Sequence, residues 1–300
     1  MPSENEINYY DQEGQMTFSM ISTRTSNSVV QANPLIKARQ NLTLNQKKLI
    51  SVIIMQIVAD DVDFKPYEIS PAELSNMLGQ MDSSNLYHRS KEMCDSLASK
   101  RLEITQDDGS WAIYPWVQHC KYNARTKKIE IMLNTSLKPF LLGLVRNGYY
   151  TQYELKNVLD LHSIYAVRIF ELIQEKIKLP GKKPLPMDGV RVRIEKQTIL
   201  DACMLYQVDG KDRIIYDEET KKPKEKYPKL SRFKEIVIKK ACEEISANTD
   251  YYVPYSSADP EKCVKFEKKG RDVVAFNFYV NTHSHEPDFI DRIWEARATG

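Results

Sequence analysis

Ser70-Pro71-Ala72-Glu73-Leu74-Ser75-Asn76-Met77-Leu78-Gly79 carries both the start and the stop of one short helix. Serine caps it, proline sits at the first helical position where its missing N–H costs nothing, glutamate at N3 closes a capping box, and glycine ends the run. Upstream, a second capping box, Thr43-x-x-Gln46, opens a stretch in which Leu49, Ile50, Val52, Ile53, Ile54, Met55, Ile57 and Val58 leave almost no polar side. That pattern predicts a buried helix over about residues 44–59. Downstream, Leu86, Ser90, Met93, Cys94 and Leu97 share one face of a third helix over about 84–100, with His88, Arg89, Lys91, Glu92 and Asp95 elsewhere. Arg101-Leu102-Glu103-Ile104-Thr105 then alternates as a strand, and Asp107-Asp108-Gly109 reads as a hairpin turn. Trp111 to Tyr122 and Lys128 to Leu133, around a second turn at Asn123 to Thr126, complete a predicted three-stranded sheet. A buried helix, a short helix, a third helix and a trailing hairpin are the parts of a winged helix, whose third helix can enter a DNA groove.

The same order then repeats. Thr151-x-x-Glu154 predicts the cap of a short helix, and Ile164, Val167, Phe170, Leu172, Ile173 and Ile177 mark a long one. Val190 to Ile194 alternates as a strand, Thr198 to Leu205 fits a short helix, and Leu230 to Asn248 fits a third with Phe233, Val237, Ala241 and Ile245 inward. A closing hairpin runs from Val264 to Phe266 through Lys268-Lys269-Gly270-Arg271 to Val273, Ala275, Phe276, Phe278 and Val280. Cys94-Asp95-Ser96-Leu97 aligns with Cys242-Glu243-Glu244-Ile245, each leading into a strand. The expected class is α+β, two tandem winged-helix domains with pseudo-repeat topology. We expect a loose polar arm over 1–28 and a first domain over 29–146 that contacts DNA or dimerises. A second domain over 147–285 is expected to be the main DNA-binding unit, followed by a tail over 286–300.

Composition agrees with a folded chain: 300 residues, 42% hydrophobic and 28% charged, exclude fibrous and disordered classes and fit two cores. The formal net charge is only +2, so any basic footprint must be local. Five cysteines, odd in number and without a C-x-x-C, argue for reduced thiols that serve packing in a cytoplasmic compartment. Residues 1–6 lack a basic and apolar leader pattern, and no apolar run approaches the roughly 18 residues of a membrane span, so no membrane association is expected.

The local basic footprint lies before and within the second copy's third helix. Residues 221–240 hold nine Lys or Arg against two Glu, a local +7. Such charge neutralises phosphates and releases counterions, while the start of a recognition helix reads base edges. Lys226, Lys229, Ser231, Arg232, Lys234 and Lys239 are therefore the main DNA-binding candidates, with Lys268, Lys269 and Arg271 at the hairpin tip where a wing meets phosphate. In the first copy Asn85, His88 and Arg89 on the third helix, and Lys127 and Lys128 beside Arg125 at the second turn, are the corresponding candidates. Glu92 and Asp95 dilute the charge there, so that face could instead serve subunit pairing. A solvated lysine-coated surface is the plain alternative; coincidence of charge with helix order favours DNA.

Enzyme signatures are missing: there is no G-x-x-x-x-G-K-[ST], G-x-G-x-x-G, H-E-x-x-H or G-x-S-x-G. His283-Ser284-His285 could place two imidazoles on one side of a strand, a spacing that a metal-dependent, tyrosine-using nickase could use. No third histidine or paired helical tyrosines accompany it. No catalysis, metal or cofactor is expected. Tyr149, Tyr150 and Tyr153, or Trp111, Tyr114 and Trp116, could stack on unpaired bases, but core packing is the preferred reading.

Several stretches carry a resemblance. Val30-Gln31-Ala32-Asn33-Pro34-Leu35-Ile36-Lys37-Ala38-Arg39, Leu42-Thr43-Leu44-Asn45-Gln46-Lys47-Lys48-Leu49-Ile50 and Tyr67-Glu68-Ile69-Ser70 are the first. Tyr153-Glu154-Leu155-Lys156-Asn157-Val158-Leu159 and Ser163-Ile164-Tyr165-Ala166-Val167-Arg168-Ile169-Phe170-Glu171-Leu172 follow, with Tyr227-Pro228 to Phe233-Lys234, Glu244-Ile245 to Thr249-Asp250 and Lys269-Gly270-Arg271 last. Over about residues 29–281 the chain resembles the iteron-binding plasmid replication initiators of the RepA/RepB type, single chains of two winged helices. The resemblance implies a non-catalytic protein that binds direct repeats in double-stranded origin DNA, helps to open it and recruits host initiator and helicase proteins. It also implies exchange between monomer and dimer, the dimer able to repress its own gene. In the family the second domain's third helix lies in a major groove, which points here to Lys229, Ser231, Arg232 and Lys234. The stretch Gln207 to Lys226 departs from the compact pattern and blurs where that helix begins. A plain winged-helix transcription regulator shares every residue cited.

Overall fold

A computed structural model describes residues 28–57, 61–77, 85–105, 108–144, 150–177, 185–210 and 212–283. The arm before Ser28, Gly79, Asp107, Tyr149, His285 and the tail lie outside the described residues. Two compact units form: Asn41–Leu155 with the residues leading up to Leu35, and Ile36–Gln40 with the residues from Lys156 onward.

In the first unit, strand β1 (Ser28–Ala32) precedes helix α1 (Leu44–Met55). Both bonds of the α1 capping box are made: Gln46 N–H donates to Thr43 Oγ1 at 3.3 Å and Thr43 N–H donates to Gln46 Oε1 at 3.0 Å. Every residue from Gln46 to Met55 is buried, as an all-round apolar helix requires. Strand β2 (Tyr67–Ile69) leads to α2 (Pro71–Met77), whose box between Ser70 and Glu73 is likewise closed, at 2.8 and 3.2 Å. Helix α3 (Leu86–Ala98) buries Ser90, Cys94 and Leu97. It starts from Asn85 at φ 63°, a left-handed conformation that asparagine tolerates better than most residues.

The expected single three-stranded sheet is two pieces. Strands β3 (Arg101–Thr105) and β4 (Trp111–Pro115) form one antiparallel hairpin, while β5 (Val117–Asn123) and β6 (Lys128–Leu133) form another to which β2 adds by pairing with β6. The break falls at Trp116. Its ring is fully buried, its backbone N–H donates to Lys100 O at 3.2 Å and its backbone carbonyl accepts from Asn134 N–H at 3.0 Å. A side chain that large, held inward, turns the strand out of one ladder and into the next. Trp111, expected in the core, is 66% exposed on the β3–β4 hairpin.

Residues 150–154 correct a second expectation. Thr151 does not cap a helix; it lies in strand β7 (Tyr150–Glu154), antiparallel to β1 with Ser28 opposite Glu154 and Ala32 opposite Tyr150. Thr151 and Tyr153 are buried and Gln152 is exposed, the alternation of a half-buried strand. Thr151 Oγ1 donates to Asn33 Oδ1 and Gln31 Nε2 to Tyr153 Oη, both at 2.8 Å, two buried polar bonds across the pairing.

In the second unit, α4 (Leu155–Leu159) is followed by α5 (Ile164–Ile177), strand β8 (Val190–Glu195) and α6 (Lys196–Ala202). The third helix, α7, runs without a break through Leu230–Phe233, Lys234–Lys239 and Lys240–Asn248. Its middle segment is a π-turn. Phe233, Val237, Ala241 and Ile245 recur every fourth residue, longer than the 3.6-residue α turn, and all four are buried. The i→i+5 bonded turn over Lys234–Lys239 reduces the angular drift of that spacing, which an ordinary α turn would carry around the helix. Glu244 on α7 accepts from the backbone N–H groups of His162 and Ser163, the two residues that lead into α5. Strand β9 (Tyr251–Tyr252) and the hairpin of β10 (Lys265–Lys269) and β11 (Asp272–Thr282) close the unit. Central β11 pairs with β8, β9 and β10, and its Phe276 and Phe278 are buried, Phe276 with its ring centre 5.6 Å from that of Phe233.

Arg168 on α5 is 1% exposed. Its guanidinium donates to Glu171 Oε2 and to the carbonyls of Ile36, Ala38 and Ala202, which leaves the buried charge fully engaged and ties residues 36–40 to this unit.

Candidate nucleic-acid interface

The start of α7 is fixed by the stretch that the sequence left uncertain. Residues 205–210 and 212–226 fold as three backbone segments hydrogen-bonded to one another. Ile215 N–H donates to Gln207 O, Lys224 N–H to Ile215 O and Gln207 N–H to Lys224 O, each at 2.9 Å. Lys226 N–H donates to Leu205 O at 2.8 Å, and Glu225 pairs with Lys196 at 2.9 Å. The segment thus ends at a fixed point, and the helix begins at Leu230 with Lys229 as its N-cap residue.

Lys226 lies beside two tyrosines. Its Nζ donates to Tyr165 Oη at 3.1 Å and stands 5.8 and 5.7 Å from the centres of the Tyr165 and Tyr227 rings. Burial pushes the Tyr227 hydroxyl above the usual phenol range, with Lys226 and Arg232 opposing. Lys229, Ser231 and Arg232 are exposed, while Phe233 between them and the core is fully buried. The helix therefore shows one polar, cationic side at its N-terminal turn, the part that reaches bases when such a helix enters a major groove.

Lys234 is placed differently. Its ammonium is half-buried, 3.6 Å from the centre of the Phe266 ring on β10. Desolvation, and next the neighbouring Lys268, lower its pKa from the ordinary lysine value. Lys239 pairs with Glu235 one turn earlier at 3.1 Å, so part of its charge is spent locally. At the hairpin tip Lys268, Lys269 and Arg271 are exposed around Gly270, whose φ of 64° makes the tight turn. Beneath the tip, Arg193 on β8 grips Glu267 through two bonds of 2.7 and 2.9 Å and holds its carboxyl below the usual range. Helix start and hairpin tip are thus joined through Lys234, Lys268 and Phe266 into one cationic surface.

In the first unit the cations are less concerted. Asn85, His88 and Arg89 are exposed on the first turns of α3, and His88 contacts Glu92 at 3.2 Å. Lys127 is exposed at φ 57° in the β5–β6 turn, whereas Lys128 pairs with Glu68 at 3.2 Å. Tyr87 and Tyr122, with ring centres 4.8 Å apart, form an edge-on pair between α3 and β5 that sequence reasoning missed; no periodicity announces a contact between a helix and a later strand.

His283 is buried with its ring 6.0 Å from that of Tyr252, and its backbone N–H donates to Asp250 O. Among the described residues no three His, Cys, Asp or Glu side chains converge as metal ligands, and no helix is long and apolar enough to cross a membrane.

Comparison with solved structures gives a match to the Pi initiator protein in complex with iteron DNA at a TM-score of 0.62 and 16% identity, covering 86% of this chain and 99% of that one. RctB domains 2 and 3 match at a TM-score of 0.40 and 8% identity, covering 86% and 87%. The first likeness is one of fold; the second is partial. The family model described as initiator replication protein, WH1, matches residues 28–174, and the initiator Rep protein model, WH2, matches residues 220–280. Between them they take in more than half of the chain, including α1 to α3 of the first unit and α7 with the cationic hairpin of the second. The chain belongs to the initiator replication protein family, as a protein of two winged helices.

Proposed function

We propose that this protein initiates plasmid replication by binding direct repeats in double-stranded origin DNA, the second winged helix inserting the start of α7 into a major groove. The observation that carries the reading is the pairing of an exposed Lys229, Ser231 and Arg232 at that helix start with an exposed Lys268, Lys269 and Arg271 on the adjoining hairpin tip. Groove-reading residues and phosphate-binding residues are then presented by one rigid surface. The Pi initiator, whose solved complex contains iteron DNA, shares the fold and supports the choice of ligand.

The first winged helix adds Asn85, His88, Arg89 and Lys127 as a second, weaker footprint, and two linked modules raise affinity through effective concentration. The protein acts by binding in the cytoplasm rather than by catalysis: it distorts origin DNA, presents it to the host initiator and helicase, and exchanges between monomer and dimer. Footprinting of the purified protein on plasmid DNA carrying its gene and flanking sequence tests this. Protection should recur over evenly spaced repeats; uniform protection without sequence preference would remove the repeat-binding reading. Supercoiled origin DNA should remain unnicked throughout.

A further inference from the structure

The stretch between α6 and α7 ends in Lys222-Pro223-Lys224-Glu225-Lys226-Tyr227, in which every second residue is a lysine. An extended backbone sends alternate side chains to opposite sides, so such a stretch puts its lysines together on one side. Hydrogen bonds hold the chain extended here. Lys222 O accepts from Asp217 N–H, Lys224 N–H donates to Ile215 O and Lys224 O accepts from Gln207 N–H, each at 2.9 Å, and Lys226 N–H donates to Leu205 O at 2.8 Å. Pro223, which has no N–H to give, stands opposite Tyr216, and Glu225 stands opposite Tyr206. Exposure follows the alternation: Lys222, Lys224 and Lys226 are exposed, whereas Pro223, Glu225 and Tyr227 are half-buried. Successive lysines are therefore about 6.6 Å apart along the backbone, two residues at the rise of a strand.

The acids around this row are engaged within the fold. Glu225 pairs with Lys196 at 2.9 Å, and Asp209 pairs with Arg213 at 2.6 Å. Asp217 accepts from Thr220 N–H at 2.9 Å, Thr220 Oγ1 at 3.0 Å and Glu219 N–H at 3.2 Å inside its own turn. Thr220 is the main cause of its lowered pKa, and Lys224 contributes least. Glu218 and Glu219 are exposed in that turn, ahead of the row. At the other end Lys226 is anchored by its 3.1 Å bond to Tyr165 Oη and by the rings of Tyr165 and Tyr227, and Lys229 follows three residues later as the N-cap of α7.

We infer that Lys222, Lys224 and Lys226 form a further binding site, a ridge that takes the sugar-phosphate backbone of duplex DNA beside the groove entered by α7. The inference rests on the DNA-binding reading above and adds a backbone contact made by neither the helix start nor the hairpin tip. An ammonium is a compact point charge on a flexible stem, which suits phosphate oxygens, and such contacts fix register without carrying sequence information. Holding the backbone extended and Lys226 against two tyrosines sets part of the ridge in place before DNA arrives, which lowers the ordering cost of binding.

Binding of the full chain to duplex DNA carrying its gene and flanking sequence, measured across a salt series, tests the ridge. Each phosphate contact contributes about 0.9 to the slope of log affinity against log salt, so Lys222→Gln with Lys224→Gln should lower the slope by about two units. Preference for repeats over scrambled duplex should be retained, and thermal melting should match wild type because both side chains are exposed. Lys222→Arg with Lys224→Arg keeps both charges and should retain the wild-type slope. Lys262→Gln, which removes one exposed cation from the loop before β10, should leave the slope unchanged. A wild-type slope in the double glutamine variant would overturn the ridge while leaving the helix and hairpin contacts standing. A fall in Lys262→Gln as large as that from Lys224→Gln alone would assign the effect to net charge and overturn it too. A wild-type chain that binds no duplex at any salt concentration would remove the proposed function together with the ridge.

Discussion

The ammonium of Lys234 sits 3.6 Å from the centre of the Phe266 ring, binding the middle of α7 to the first strand of the cationic hairpin. A cation over an aromatic face contributes about 0.5–2 kcal/mol depending on its solvation. Lys234 thus ties the helix to the hairpin, with Lys268 as a cationic neighbour. Lys234→Ala should lower both the melting temperature and the DNA affinity, the latter by about 1–3 kcal/mol if it reads a base. Phe266→Ala should reproduce the loss of stability with a smaller loss of binding. A Lys234→Ala protein with unchanged melting would show that the ring contact holds nothing.

Arg232 separates binding from stability. It is exposed at the start of α7 and has the buried Phe233 behind it, so Arg232→Ala should leave thermal unfolding within about 0.5 kcal/mol of wild type. Equilibrium titration against repeat DNA should fall by about 1–3 kcal/mol if it pairs with a base edge. Loss of affinity that is the same for scrambled DNA would assign it to phosphate.

Under the proposed function the exposed cations of the hairpin tip are phosphate contacts that release counterions. Lys268→Gln, Lys269→Gln and Arg271→Gln together should reduce the slope of log affinity against log salt by about two to three units. Preference for repeats over random sequence should survive, because phosphate contacts position the protein and carry no sequence information directly.

Arg168 and Glu171 test a buried charge pair. Arg168→Met leaves Glu171 without its guanidinium and frees three backbone carbonyls, and chemical denaturation should report a loss of about 3–5 kcal/mol. Adding Glu171→Leu should recover part of it. No recovery in the double variant would place the cost on the carbonyls of Ile36, Ala38 and Ala202 rather than on the ion pair.

Gly189 precedes β8 with φ at 67°, and a Cβ there would meet Val280 O at 2.7 Å and the Tyr279 ring at 2.8 Å. Gly189→Ala combines a left-handed backbone with a clash against main chain, so the second unit should lose more than about 2 kcal/mol. Wild-type stability in that variant would mean that the entry to β8 is free to move.

Helices were legible wherever caps and apolar spacing agreed. Thr43 with Gln46 and Ser70 with Glu73 made the bonds their spacing implied, and Phe233, Val237, Ala241 and Ile245 turned inward together. Thr151 with Glu154 has the same lettering and yet forms a strand, because β1 offers it a ladder; a capping signature is local and a partner strand 120 residues away is not. The split of the first sheet at Trp116 was hidden for a related reason: alternation marks strands but does not say which strand each one joins. The basic stretch over 221–240 located the candidate interface, but counting charges could not distinguish Arg232, which faces solvent, from Lys234, which lies on Phe266, or Lys239, which pairs with Glu235.

The widened turn over Lys234–Lys239 sets an angular phase between the two halves of α7. Beyond it, Ala241, Cys242 and Ile245 are anchored in the protein; before it, Ser231 and Arg232 point outward. Tightening that turn to ordinary α geometry would rotate the outward residues about the helix axis while the anchored ones stayed put. Relatives could therefore change which base pairs are read by altering the winding of one turn, leaving both the reading side chains and the core unchanged.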